Sequence, residues 1–150
     1  MRRTLYLAVA SMMLTLTRDV GAAPPPIAIG EVTSEVTREG VDLPLALRSV
    51  VEQELPAVDM GGRPSPRPSI LSISLVRMER AASPDRKTSV VCVVSATVRD
   101  KKKGVIVAVL EGRARAENEE RLAALLERAA MKSAVRGALA RLPEALDAVR

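Results

Sequence analysis

The chain has 150 residues, 47% of them hydrophobic and 27% charged, with a formal net charge of +5, the balance of one globular domain. It contains no His, Phe or Trp and one Tyr. Imidazole bases, imidazole metal ligands and Ser-His-Asp or Cys-His pairs are therefore excluded, and the aromatic planes on which nucleobases or sugars stack are missing from everything but position 6.

Arg2 and Arg3 precede the apolar run Leu5–Leu16, and a short polar stretch leads to Gly21–Ala22–Ala23 before Pro24–Pro25–Pro26. A basic start, an apolar middle and small residues at the end are the order of a secretory signal peptide, here residues 1–23, with cleavage expected after Ala22 or Ala23. A membrane-spanning anchor is the alternative, but the apolar run falls short of the ~20 residues a span needs and Arg18–Asp19 interrupts it. Cleavage would remove Arg2, Arg3, Arg18 and Asp19, lowering the net charge of +5 by two, and would also remove Tyr6. The mature chain, residues 24–150, is expected to be one soluble α+β domain with no transmembrane anchor.

Ile27–Val36 is rich in β-branched residues and suits a first strand, with Gly30 at a bulge. Asp42 can cap a helix running to Leu55, in which Leu43, Leu47, Val50, Val51 and Leu55 fall at helical spacing, and Pro56 prevents continuation. Residues 56–69 form a Pro/Gly-rich internal loop. A proline-rich recognition segment is the functional alternative to a plain stiff connection there.

Ile70–Arg80 alternates as a strand, with Leu71, Ile73 and Leu75 on one side and Ser72 and Ser74 on the other. If Arg80 faces Ser89, its odd positions join the core face of a second strand, and the serines lie beside Ser95 and Thr97. The turn Asp100–Gly104 then leads to a third strand. With Arg99 opposite Val105, one face of this hairpin collects Val90, Cys92, Val94, Ala96, Val98, Ile106, Ala108, Leu110, Gly112 and Ala114. Gly112, Ala114 and Ala116 are small enough to let a helix backbone approach closely. Asn118 can cap that last helix, whose apolar stripe is Leu122, Leu125, Leu126, Ala129, Ala130, Ala134, Ala138 and Leu142; Pro143 marks its end or a kink. The whole is predicted as β-α-β-β-β-α: one sheet of about four strands, an antiparallel meander, and helices on one face. A right-handed crossover through the first helix places the first strand parallel to Ile70–Arg80 or to a neighbour beyond it.

This order of elements, with the stretch Val94–Ala114 and the late helix pattern Ala130–Leu139, resembles the bacterial envelope lipoproteins around the curli-secretion component and the outer-membrane activators of penicillin-binding proteins. The resemblance covers Ile27–Leu142. It implies a non-enzymatic envelope accessory that acts by binding, with no catalytic residue to carry over. The chain departs from these lipoproteins in having no cysteine after its apolar leader to receive a lipid.

Candidate sites follow from the same reading. Cys92, among valines, reads as buried core before it reads as an intermolecular partner or a nucleophile. Ser72, Ser74, Ser95 and Thr97 form a polar strip without a base. Glu119, Glu120, Arg121, Glu127 and Arg128 read as a solvated helix face, not a metal site. Lys101, Lys102 and Lys103 make a basic tip, either a solubilising turn or a contact for anionic lipid headgroups, acidic polymers or an acidic partner. The back of the sheet gathers Val76, Met78, Val91, Val93, Val107 and Val109, an apolar patch that either another segment covers or a partner occupies.

The function expected is an exported interaction domain, periplasmic or extracellular, that binds an envelope protein or a second copy of itself. No cofactor, metal or nucleic acid is expected. A small-ligand-binding or inhibitor domain is the alternative, marked by an apolar pocket between sheet and helix, and a His-free hydrolase the third reading.

Overall fold

The computed structural model of the chain describes residues 27–61, 67–82 and 85–148. The signal-peptide reading of residues 1–23 and part of the Pro/Gly-rich loop lie outside these residues. The elements are β1 (Ile27–Ser34), α1 (Leu43–Glu54), β2 (Ser69–Ala82), β3 (Lys87–Asp100), β4 (Ile106–Glu119), α2 (Ala123–Leu139) and α3 (Leu142–Asp147). They form a four-stranded sheet in the order β1-β2-β3-β4. β1 runs parallel to β2, and the other two pairings are antiparallel. The fold is thus the expected α+β meander, and α1 is the crossover that returns the chain beside its first strand.

Local chemistry accounts for the element ends. Asp42 caps α1 by accepting a hydrogen bond from the Leu45 amide at 2.9 Å, and Pro44 lies in the first turn. Pro56 diverts the chain into a 3-10 turn, Leu55–Ala57. In β1 the pairing shifts between Ile29 and Val32. A Cβ on Gly30 at that bulge would meet Ile70 Cγ2 at 2.6 Å and Ser72 Oγ at 2.9 Å, so the strand needs glycine there.

The core is a single layer between the sheet and the helices. Leu71, Ile73 and Leu75 of β2, and Val90, Cys92, Val94, Ala96 and Val98 of β3, meet Leu47 and Val51 of α1 and Ala134, Val135, Ala138 and Leu139 of α2. Gly112 is the point of closest approach. A Cβ there would overlap the Ala134 carbonyl oxygen, far inside van der Waals contact, and lie 2.8 Å from the Ala138 amide nitrogen. The small-residue expectation for β4 holds for this reason.

Two bulges set the differences from the predicted register. From Ser69↔Asp100 to Leu75↔Val94 the β2–β3 pairing is the one expected from Arg80 facing Ser89, but it shifts between Leu75 and Arg77, so that Arg80 faces Val90. Val76 is the inserted residue. Beyond it every side chain changes face, and Met78, expected on the back of the sheet, enters the core with 5% of its surface exposed. In the β3–β4 hairpin Val98 pairs with Ala108, and Arg99 with Ile106 instead of Val105. The displacement along most of β4 is even, so its faces stay as assigned. Near the turn the bulge at Val107 reverses them: Ile106, expected inside, is exposed, and Val107, expected outside, packs half-buried against the core.

The last helix also starts later than expected. β4 stays paired with β3 out to Lys87↔Glu119, so Asn118 lies in the strand, its Oδ1 accepting from the Glu119 amide, and a 3-10 turn (Glu120–Leu122) precedes α2. Leu125 and Ala129 face solvent, whereas Met131, Val135 and Leu139 are buried beside the Ala130, Ala134 and Ala138 row. α2 stops at Leu139, and Pro143 sits in the first turn of α3.

Candidate functional site

The face of the sheet opposite the helices is built by the alternation of β2, β3 and β4. Across it Ser72 pairs with Thr97 and Ser74 with Ser95, while Val93 lies between Arg77 and Arg113, and Val91 between Glu79 and Arg115. Val91 and Val93 are half-buried, Val76 projects from its bulge, and Val109, opposite Thr97, is 64% exposed. Of the six apolar residues assigned to this face, four are therefore on it, and Met78 and Val107 belong to the core side. The surrounding charges pair along their own strands: Arg77 with Glu79 at 3.5 Å and Arg115 with Glu117 at 3.4 Å. The result is a surface on which aliphatic, hydroxyl and charged side chains stand side by side. Glu111 lies opposite Ser95 in the ladder, and among the described residues no group of three or more His, Cys, Asp or Glu could hold a metal ion.

The basic tip is a hydrogen-bonded turn. Asp100 Oδ1 accepts from the Lys102 and Lys103 amides at 2.8 and 2.9 Å, which points the three lysine side chains outward. The Asp100 amide donates to the Val105 carbonyl, the Gly104 amide to the Asp100 carbonyl, and the Lys101 amide to the Pro68 carbonyl. Gly104 takes φ +68°, a conformation that favours glycine. The Lys103 and Lys102 amide bonds hold the Asp100 carboxyl below the usual carboxylate range.

Cys92 is fully buried, and desolvation pushes its thiol up to about 12, so it presents no thiolate at neutral pH.

Three features escaped the sequence reading. An aliphatic cleft of about 560 Å³ opens between the start of β1 and the end of α1, lined by Ile27, Ile29, Leu55, Pro56, Val58 and Met60, with Glu52 at its rim. Beside it Glu54 of α1, itself buried, joins Arg136 of α2 at 2.9 Å and Lys132 at 3.4 Å. These partners, Arg136 foremost, lower the Glu54 pKa against its burial. Glu127, read as part of a solvated face, instead binds Arg38 at 2.7 Å and Arg80 at 3.0 Å, tying α2 to the β1–α1 connection and to β2. Each brings together residues far apart in sequence, for which local spacing gives no signal.

No family model and no curated protein matches the chain. Among solved structures, the hypothetical protein CT253 from Chlamydia trachomatis superposes with a TM-score of 0.53 at 10% identity, over 81% of this chain and 98% of that one. Protein XCC0632 from Xanthomonas campestris does so with a TM-score of 0.50 at 12% identity, over 78% and 79%. A minor lipoprotein from Acinetobacter baumannii gives 0.47 at 10% identity, over 76% and 92%. No helix of the described residues is long and apolar enough to cross a membrane. What the chain shares with the Chlamydia and Xanthomonas proteins is their fold, at identities too low to carry a function across.

Proposed function

We propose that the chain is an exported, non-enzymatic accessory domain of the cell envelope that acts by protein–protein binding, as the resemblance to the curli-secretion and penicillin-binding-protein-activator lipoproteins implies. The observation that carries this reading is the outer sheet face: Val76, Val91, Val93 and Val109 share it with a hydroxyl strip, and the helices pack on the other side. A second copy or an envelope protein docks there.

The test is the double substitution Val93→Asp with Val109→Asp. Because neither residue belongs to the core, the variant keeps its unfolding transition within a few degrees of the parent while losing self-association in sedimentation equilibrium, or losing the specific partner that the parent cross-links in an envelope extract. Unfolding of the variant, or unchanged association, overturns the assignment of this face.

The aliphatic cleft between β1 and α1 supports a second reading, a small-ligand domain, because its lining suits an acyl or other aliphatic group and offers little to hydrogen-bond. Displacement of an environment-sensitive fatty acid, abolished by Ile29→Glu, would favour that reading over the first.

A further inference from the structure

The β3–β4 tip carries more than its lysines. Val105 is 59% exposed and Ile106 52%, separated from the Lys101–Lys103 run only by Gly104. The Val107 bulge is what turns Ile106 outward, so these aliphatic side chains share the end of the molecule with three ammonium groups and the exposed Arg99. The acid of this turn, Asp100, has its carboxylate turned to backbone amides. The sheet register places the same end beside the start of β1, since Ile27 pairs with Ser69 and Ser69 with Asp100, and the aliphatic cleft opens there.

We propose that this hairpin tip docks on an anionic bilayer surface, with Lys101, Lys102 and Lys103 meeting lipid phosphates while Val105 and Ile106 enter the headgroup region. Cationic side chains next to exposed aliphatic ones, on a turn held by its own backbone bonds, combine the two terms that bind peripheral proteins to anionic membranes. A soluble acidic polymer would draw on the lysines but would leave Val105 and Ile106 in water. The site lies at the turn end of the outer sheet face, Arg99 and Ile106 being the next outward-facing pair after Thr97 and Val109, and the inference does not depend on the protein-binding reading.

The experiment uses the full chain carrying Val105→Cys, labelled with a polarity-sensitive fluorophore; native Cys92 is fully buried and not labelled in the folded protein. The label blue-shifts with phosphatidylglycerol-containing vesicles and does not shift with pure phosphatidylcholine vesicles or with polyglutamate. The same label at Leu45→Cys, an exposed position on α1, stays unshifted. Each basic group near an anionic surface multiplies partitioning by roughly fivefold, so Lys101→Gln with Lys102→Gln and Lys103→Gln weakens the response on the order of a hundredfold. High salt weakens it likewise. Absence of the shift, a shift unchanged in the triple variant, or an equal response to polyglutamate overturns the proposal. The glutamine variant keeps every backbone bond of the turn, and its unfolding transition verifies that the fold is intact.

Discussion

At the scale of single residues, Gly112 and Cys92 show how burial and backbone proximity fix side-chain identity. The helix α2 backbone lies where any Cβ on Gly112 would project, so Gly112→Ala forces helix and sheet apart instead of shifting a flexible neighbour. The substitution is expected to cost about 3 kcal/mol, at the upper end of overpacking penalties, read as a lower midpoint in denaturant unfolding with an unchanged slope. The same change at Gly137, which has open space around it, gains helix propensity and is expected to raise stability slightly, so the pair separates crowding from backbone entropy. Cys92 tests burial through reactivity. With its thiol pushed up to about 12, it reacts with a thiol reagent only as fast as the protein opens, and addition of denaturant releases a single rapid equivalent. Reaction at the rate of a free thiol in native buffer would show the position to be open.

At the scale of elements, the contact between α1 and α2 rests partly on the Glu54 carboxylate, which is buried while its partners Arg136 and Lys132 face solvent. Its pKa is lowered in the folded state, so its stabilisation is fully present above the ordinary glutamate range and is lost as pH falls through the lower folded value. Solvent screening of the two cations holds the term to about 1 kcal/mol. Glu54→Gln is accordingly expected to lower stability by that amount at neutral pH and to match the parent below the folded value, in urea titrations run at both ends. Residue patterns made such elements legible to different degrees. Strict alternation from Leu71 to Leu75 gave the β2 face and its partner register, and Asp42 before Leu43–Pro44 marked the start of α1. The adjacent apolar pair Leu75–Val76, followed by Arg77 and Met78, broke that alternation and was the sign of the bulge. In β4 the unbroken apolar run from Val105 to Leu110 has no period, so nothing local distinguished Ile106 from Val107 as the inner residue. The Asn118 cap failed for a related reason: ladder hydrogen bonds to β3 outweigh a local side-chain cap that the sequence alone makes attractive.

At the scale of the molecule, the described residues form one buried layer and leave the other sheet face open, and this asymmetry governs both stability and the legibility of the site. The outer face was readable as a patch because it needs only the period-two alternation; its true membership was not, because two bulges move Met78 and Val107 to the core side. The cleft between β1 and α1 depends on how a crossover seats against an edge strand, which pairwise spacing does not determine. If the buried layer alone holds the fold together, truncations on the two sides of the sheet must differ sharply. Leu71, fully buried in a central strand, is expected to cost about 3 kcal/mol as Leu71→Ala, whereas Val109→Ala on the outer face stays within about 0.5 kcal/mol. Native-state hydrogen exchange should rank the same way, with β3, paired on both edges, protected to the global limit and β1, an edge strand interrupted at Gly30, opening by local fluctuation. Comparable losses from Leu71→Ala and Val109→Ala would mean that the outer face is already packed in the isolated protein, and the docking surface proposed for it would have to be found elsewhere.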